Sequence, residues 1–248
     1  MTLWRAARVA ISFLTILPLK APDDVNSRDL TRGAAFFPLV GWLLGGLLLL
    51  AAQGLIALFG SGLTTALLLV ALLAWLTRGL HLDGLADLLD GLGGGNDPDR
   101  RLAIMKDSGI GAFGVIGLIL LLGIKASALA DLLPELFADH KILLLLPLVA
   151  GRWAMVLLAW RSRYPREQGT GHAFVGQVSI REVLLGALFV VPFCLLGPAA
   201  IVALLASLLP AVYLYFKATR ALGGVTGDVL GASCELGEVL GWLALLAW

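Results

Sequence analysis

Asp83, Asp87 and Asp90 stand at i, i+4 and i+7 in the stretch HLDGLADLLDG. On an α-helix that spacing puts all three carboxylates within about 60° of one face. Like charges so placed destabilise a helix by a few tenths of a kcal/mol per pair even in water. A divalent cation would hold them together. All-oxygen donors suit Mg²⁺ or Mn²⁺ over zinc, and Mg²⁺ usually keeps water and substrate phosphate among its ligands. The plain alternative is an interfacial helix with a wet acidic face. Against it, Leu82, Leu85 and Leu89 make the opposite face apolar, and Gly84 and Gly91 bring backbone close. A second stretch, GGVTGDVLGASCELGE, sets Asp228 and Glu235 at i, i+7 with Glu238 one turn on. If helical, these three share a face about 80° wide. Its lead-in of Gly223, Gly224 and Gly227 could cradle phosphate through backbone N–H groups, or simply serve close helix packing.

Phosphate would also call for cations. The stretch RSRYPREQGTGHAFVG collects Arg161, Arg163 and Arg166 ahead of Gly169 and Gly171. Planar guanidinium forks suit phosphate, while basic residues beside a membrane also set topology or touch anionic lipid. Arg152 lies about two turns inside an apolar run. A cation there marks a functional site by default and needs an anionic partner. His81 and His172 have no partner visible in the sequence. Asp97-Pro98-Asp99 reads as a turn and N-cap. Asp107 or Ser108 can cap the helix that begins after Gly109 as readily as it can meet a substrate.

The elements that must position these groups are apolar. Of 248 residues 59% are hydrophobic and only 14% charged, against about a quarter charged in average globular chains. The mean hydropathy is +0.94. The class expected is therefore all-α, a single polytopic membrane helix bundle. A net charge of +1 argues against a nucleic-acid partner. Cys194 and Cys234 suggest neither a disulfide framework nor a thiolate metal site. Residues 33–77 and 183–216 carry no charged side chain. Breaks at Gly60-Ser61-Gly62 and Gly197-Pro198, with runs at 109–130 and 142–160, predict about six full spans. These are 33–59, 62–77 (borrowing from the next segment), 109–130, 142–160, 183–196 and 198–216. The segments 3–19 and 236–248 are expected to be half-length or interfacial helices. Despite Arg5 and Arg8, the N-terminal run lacks a cleavage site and is expected to be retained. Segments 20–32, 78–108, 161–182 and 217–235 hold nearly all the Lys and Arg, which predicts a shared cytoplasmic side. The loop 131–141, with Asp131, Glu135 and Asp139, is expected on the other.

A metal-loaded acidic face with arginines and glycine turns on one side suggests phosphoryl transfer. The blocks FLTILPL, RGLHLDGLADLLDG, MKDSGIGAFG, GRWA, REQGTGHAF and LGGVTGDVLGASCELGE resemble those of the cobalamin synthase (adenosylcobinamide-GDP ribazoletransferase) family, in order and nearly end to end. The resemblance implies a Mg²⁺-dependent enzyme of the bacterial inner membrane. It would join adenosylcobinamide-GDP to α-ribazole, or its 5′-phosphate, with release of GMP. With that reading Asp83, Asp87, Asp90, Asp228 and Glu235 are expected to ligate Mg²⁺, and Asp90 and His81 to act in the reaction. Lys106, Asp107, Ser108, Arg152, Arg163, Arg166, His172 and Glu238 are expected on the substrates, at one cytoplasmic-facing site. The lipid bilayer is the other expected partner, and a homo-oligomer is left open. Two rivals stand beside this. CDP-alcohol phosphotransferases share an aspartate-rich helix face, but lack the Gly-Asp…Glu block and carry Ala-Arg where Asp87 follows Ala86 here. A cation transporter would need carboxylates near mid-bilayer, whereas these are expected at the ends of spans.

Overall fold

A computed structural model describes residues 2–19, 22–134 and 141–248. Glu135 and Asp139 of the loop expected on the far side lie outside those residues. The described chain is helical, with no strand.

The first helix, α1 (Leu3–Leu14), has 12 residues and would reach about 18 Å at 1.5 Å per residue. That is short of the roughly 30 Å hydrocarbon core, in keeping with the half-length helix expected there. Arg5 ties it to the next segment, with its guanidinium 2.9 Å from both Asp24 and Asp29. Helix α2 (Ser27–Gly33) opens with a reciprocal cap: Asn26 accepts from Asp29 N–H, and Asp29 accepts from Asn26 N–H. A 3-10 turn joins α2 to α3 (Phe37–Phe59), and Ser27–Phe59 together form one long apolar stretch.

Helices α4 (Leu63–Leu76) and α5 (Leu80–Gly94) meet at a 90° bend. The bend is made by Arg78 and Gly79, both with φ near +60°. For an arginine the left-handed region costs roughly 1–2 kcal/mol. The Arg78 guanidinium offsets this by donating to the Ser12 and Phe13 carbonyls at the C-terminal end of α1. So the span expected at 62–77 does borrow from the next segment, but around a corner.

After α6 (Pro98–Ile104) come α7 (Ala112–Leu132) and α8 (Leu146–Trp160). The expected span at 183–196 is corrected: it is broken into α9 (Ile180–Ala187) and α10 (Val191–Cys194), neither long enough to cross alone. Pro192, without an N–H and with a fixed φ, prevents one helix from running through. Helices α11 (Pro198–Leu222) and α12 (Gly227–Leu246) complete the bundle. Among the described residues five stretches are long and apolar enough to cross a membrane, Ser27–Phe59, Ala112–Leu132, Ile142–Trp160, Pro198–Leu222 and Gly227–Leu246, and a sixth if the bent α4–α5 pair counts as one span.

The last of these corrects a second boundary. Residues 236–246 are not a separate half-length helix, and 227–235 is not loop; both belong to α12, which ends at Leu246. This helix sits at the centre, packed on α5, α7, α8 and α11. It runs antiparallel to α8: Trp242 Nε1 donates to Leu144 O at one end, and Gly151 abuts Cys234 in the middle.

Candidate active site

The site begins where α5 meets α12. A Cβ at Gly84 would lie 2.8 Å from Asp228 Cα, and one at Gly231 would lie 3.1 Å from His81 Cα. Only glycine at these two places lets the backbones approach so closely. The approach sets Asp83 and Asp87 of α5 beside Asp228 of α12, within electrostatic reach of one another. Asp83 and Asp228 each lie in the first turn of their helix, where the N-terminal partial charge offsets part of the repulsion. Among the described residues no three His, Cys, Asp or Glu side chains converge on one metal position as they stand.

Opposite these carboxylates lies the loop after α8. Arg163 O accepts from Val225 N–H at 2.9 Å, and Gly171 abuts Gly227, which locks the loop over the start of α12. This brings Arg166 Nη2 to 3.2 Å from Asp228 Oδ2. The contact lacks hydrogen-bond geometry: Arg166 Nε and Nη2 are both buried without a hydrogen-bond partner. Thr226 caps α12 and its hydroxyl donates to Asp228 at 3.1 Å. Tyr164 packs edge-on against His172, and its hydroxyl donates to Gln168 O. Burial pushes the Tyr164 phenol above its usual range; Asp228 adds to the shift and Arg166 opposes it. A cavity of about 250 Å³ opens behind the aspartates, lined by His81, Asp83, Thr170, Asp228 and a set of aromatic and apolar side chains.

Other expected site residues go elsewhere. Asp90 is buried, and its two oxygens accept from Gly111 N–H (2.7 Å) and Gly114 N–H (2.9 Å). It therefore caps α7 from a neighbouring helix, the task considered for Asp107 or Ser108. Asp107 instead accepts from Gly109 N–H within its own turn, and Lys106, Asp107 and Ser108 are all exposed there. Arg163 and His172 are exposed on the loop that covers the start of α12.

The expectation that the whole second acidic stretch joins the first is corrected. Only Asp228 does. Glu235 and Glu238 lie two and three turns deeper, and Glu238 is 0% exposed. Lys125 Nζ reaches Glu235 at 2.7 Å and Glu238 at 2.6 Å, and Arg152 Nη1 reaches Glu238 at 2.7 Å. Arg152 is thus occupied by a carboxylate and the Leu148 carbonyl, which removes it and Glu238 from a substrate surface. The anion that Arg152 requires is Glu238. Lys125 is visible in the sequence only as a charge inside an apolar run, and Tyr164 and Thr226 carry no local signal beyond their neighbours.

A family model described as cobalamin-5-phosphate synthase matches residues 6–246. Three curated relatives carry the name adenosylcobinamide-GDP ribazoletransferase. The protein from Syntrophobacter fumaroxidans is 44% identical over 96% of each chain, and that from Geotalea daltonii 41% over 96% of each. The Klebsiella pneumoniae (strain 342) protein is 41% identical over 96% of this chain and 97% of its own. No solved structure matches.

Proposed function

This chain belongs to the cobalamin-5-phosphate synthase family, and from that premise we propose that it joins adenosylcobinamide-GDP to α-ribazole or α-ribazole 5′-phosphate, with GMP as the leaving group. Neither the CDP-alcohol nor the transporter reading gains support from its relatives. The observation that carries the chemistry is the unbalanced charge at the α5–α12 contact: Asp83, Asp87 and Asp228 lie within electrostatic reach of one another, and Arg166, 3.2 Å from Asp228, still has buried N–H groups to donate.

That donor set fits Mg²⁺. It is all carboxylate oxygen, and Mg²⁺ binds through one or two carboxylates plus water and substrate phosphates, so a closed protein cage is not required. One or two of Asp83, Asp87 and Asp228 would hold the ion, which would neutralise charge on the diphosphate and polarise its phosphorus, with the remaining carboxylate beside it. Arg166 turns its free N–H edge to the phosphate oxygens, as guanidinium geometry favours. A ribose hydroxyl of the nucleoside attacks the phosphorus nearer the corrinoid. The new O–P bond forms as the P–O bond to GMP breaks, and the hydroxyl proton passes to a carboxylate of the cluster. Thr226 and the loop from Tyr164 to Gly171 hold Asp228 and Arg166 in register. The same reading sets this end of the bundle at the cytoplasmic face of the bacterial inner membrane, where both substrates are soluble.

The test is incubation of the purified protein with adenosylcobinamide-GDP, α-ribazole and Mg²⁺, followed by chromatography. Equal amounts of GMP and a corrinoid product are expected, both lost on chelation. Absence of GMP at saturating substrate, or release of CMP from a CDP-alcohol instead, would overturn the reading.

A further inference from the structure

A second cavity, of about 310 Å³, lies away from the aspartates, between the start of α1, the end of α2 and α9. Two arginines line it from different helices, Arg32 of α2 and Arg181 of α9, beside the apolar side chains of Leu3, Phe36 and Leu185. Among the described residues neither guanidinium has a hydrogen-bond or ion-pair partner. The nearby carboxylates are committed elsewhere. Asp29, within electrostatic reach of Arg32, is held by Arg5 at 2.9 Å. Glu182, which shares the lining, accepts from the Ser179 N–H at 2.9 Å and the Ser179 hydroxyl at 2.6 Å. Two cations against one carboxylate leave a positive charge unmatched in the cavity.

The sequence fixes the depth of this cavity. The charge-free runs 33–77 and 183–216 begin directly after Arg32 and Glu182, so both walls stand where the chain enters the apolar layer. Leu3 and Trp4 are exposed on α1, as are Ile180, Leu184 and Leu188 at or beside α9. Neither helix is long enough to cross a bilayer. Short helices with an apolar face lie in the membrane interface, and tryptophan is enriched there. The cavity therefore opens at the level of lipid phosphates, with exposed apolar surface beside it for acyl chains. Arginines at such a boundary also set topology, but that needs only their charge, not their convergence on one cavity. A soluble phosphate would gain nothing from Leu3 and Leu185.

We infer that this cavity binds the phosphate of an anionic phospholipid, with Arg32 and Arg181 donating to its oxygens and Leu3, Phe36 and Leu185 packed against the glycerol and the upper acyl chain. Planar guanidinium groups match phosphate oxygens in pairs. An anionic headgroup balances the surplus positive charge, whereas a zwitterionic one brings its own ammonium into it. The inference stands independently of the proposed reaction.

Native mass spectrometry of the full-length protein, released from mixed micelles, reads the lipid it retains. The probes are phosphatidylglycerol and phosphatidylcholine with the same acyl chains. Wild-type protein should hold phosphatidylglycerol about ten-fold more tightly than phosphatidylcholine. Arg32→Gln/Arg181→Gln should hold the two within about two-fold of each other. Lys217→Gln/Arg220→Gln removes the same charge from exposed positions near the end of α11, outside the cavity, and should keep the wild-type preference. Excess pyrophosphate should not displace the lipid. Wild-type protein without the preference would overturn the inference. So would a preference that falls equally in both double variants, which would leave the arginines a topological role alone. Pyrophosphate that binds without lipid and displaces it, in a manner lost with Arg32 and Arg181, would overturn it in favour of a soluble phosphate. Should the arginine double variant not fold, Arg32→Gln and Arg181→Gln singly, each about five-fold weaker for phosphatidylglycerol, decide the matter against Lys217→Gln.

Discussion

Helix α12 contributes to two sets of carboxylates, and they are neutralised in opposite ways. Deep in the bundle, Glu235 and Glu238 meet Lys125 and Arg152, two anions against two cations at 2.6–2.7 Å. At the start of the same helix, Asp228 lies 3.2 Å from Arg166 and within electrostatic reach of Asp83 and Asp87 on α5. The deep set is balanced in charge, two anions against two cations, and its members are buried against each other, although Arg152 Nε has no hydrogen-bond partner. The shallow set has charge left over and buried guanidinium donors still free. What separates a structural acid from a chemical one here is charge balance, since α12 contributes to both sets, Asp228 to one and Glu235 and Glu238 to the other.

The largest expected effect falls on the unbalanced set. Asp87→Asn should cut kcat by about 100-fold or more, since metal-assisted charge stabilisation is worth several kcal/mol, while the thermal midpoint stays near wild type. Asp228→Asn should behave alike, and the double variant should be barely worse than either, because groups acting as a unit are lost only once. Additive losses in log kcat would show that the two aspartates do not share a task.

The balanced set should respond the other way. Glu238→Gln leaves Lys125 and Arg152 with too little negative charge in a buried site, and breaking such a set costs about 3–5 kcal/mol. The variant should purify poorly or melt much earlier. A sharper form uses paired changes. Glu235→Leu alone should destabilise, and adding Lys125→Met should restore much of the loss, because a buried ion pair replaced by apolar groups is often neutral. If the pair variant stays as unstable as the single one, the set is more than a balanced pin.

How much of this is legible in the sequence depends on the range of each interaction. The Asp83–Asp87 face is a local property of helix periodicity, so spacing alone reveals it. The apolar runs also declare the class of fold. Partners distant in the chain stay hidden: Arg152 and Glu238 are 86 positions apart, and Lys125 and Glu238 are 113 apart. For that reason the sequence alone cuts α12 short at its acids. Two glutamates look like the end of a span until their cations are known. Asp90 misleads in the same way, since its donors, Gly111 and Gly114, belong to another helix. The break at 183–196 is written in Pro192 itself, within a run whose apolarity argues for a span.

A middle-sized effect tests whether the leftover charge attracts a cation. A ligand that binds only the folded protein adds about 2.7 kcal/mol at a hundred times its Kd. Mg²⁺ without any substrate should therefore raise the thermal midpoint of the wild-type protein. The rise should shrink in Asp83→Asn and vanish in Asp83→Asn/Asp87→Asn/Asp228→Asn. Glu235→Gln, less stable from the start, should keep the full Mg²⁺-dependent increment. An increment that tracked Glu235 and ignored the aspartates would reverse the comparison.

The smallest effect falls on the residue between the two regimes. Asp90 shares a helix face with Asp83 and Asp87, yet its oxygens are taken by the Gly111 and Gly114 N–H groups at the start of α7. Both glycines approach so closely that a side chain on either would collide with the carboxylate. Asp90 therefore acts as a cap, and loss of an N-cap typically costs about 1 kcal/mol. Asp90→Ala should lower the thermal midpoint modestly and reduce activity only as the start of α7 loosens. Asp90→Asn is the more telling change. An amide keeps one acceptor oxygen but turns its NH2 toward one of the two backbone donors, so it should be about as costly to stability as alanine. Asp87→Asn, three residues away, should show the opposite profile, with activity lost and stability kept. If Asp90→Asn instead melts like wild type and is as inactive as Asp87→Asn, Asp90 belongs with the reacting carboxylates. Charge balance alone would then no longer mark the boundary between the two sets.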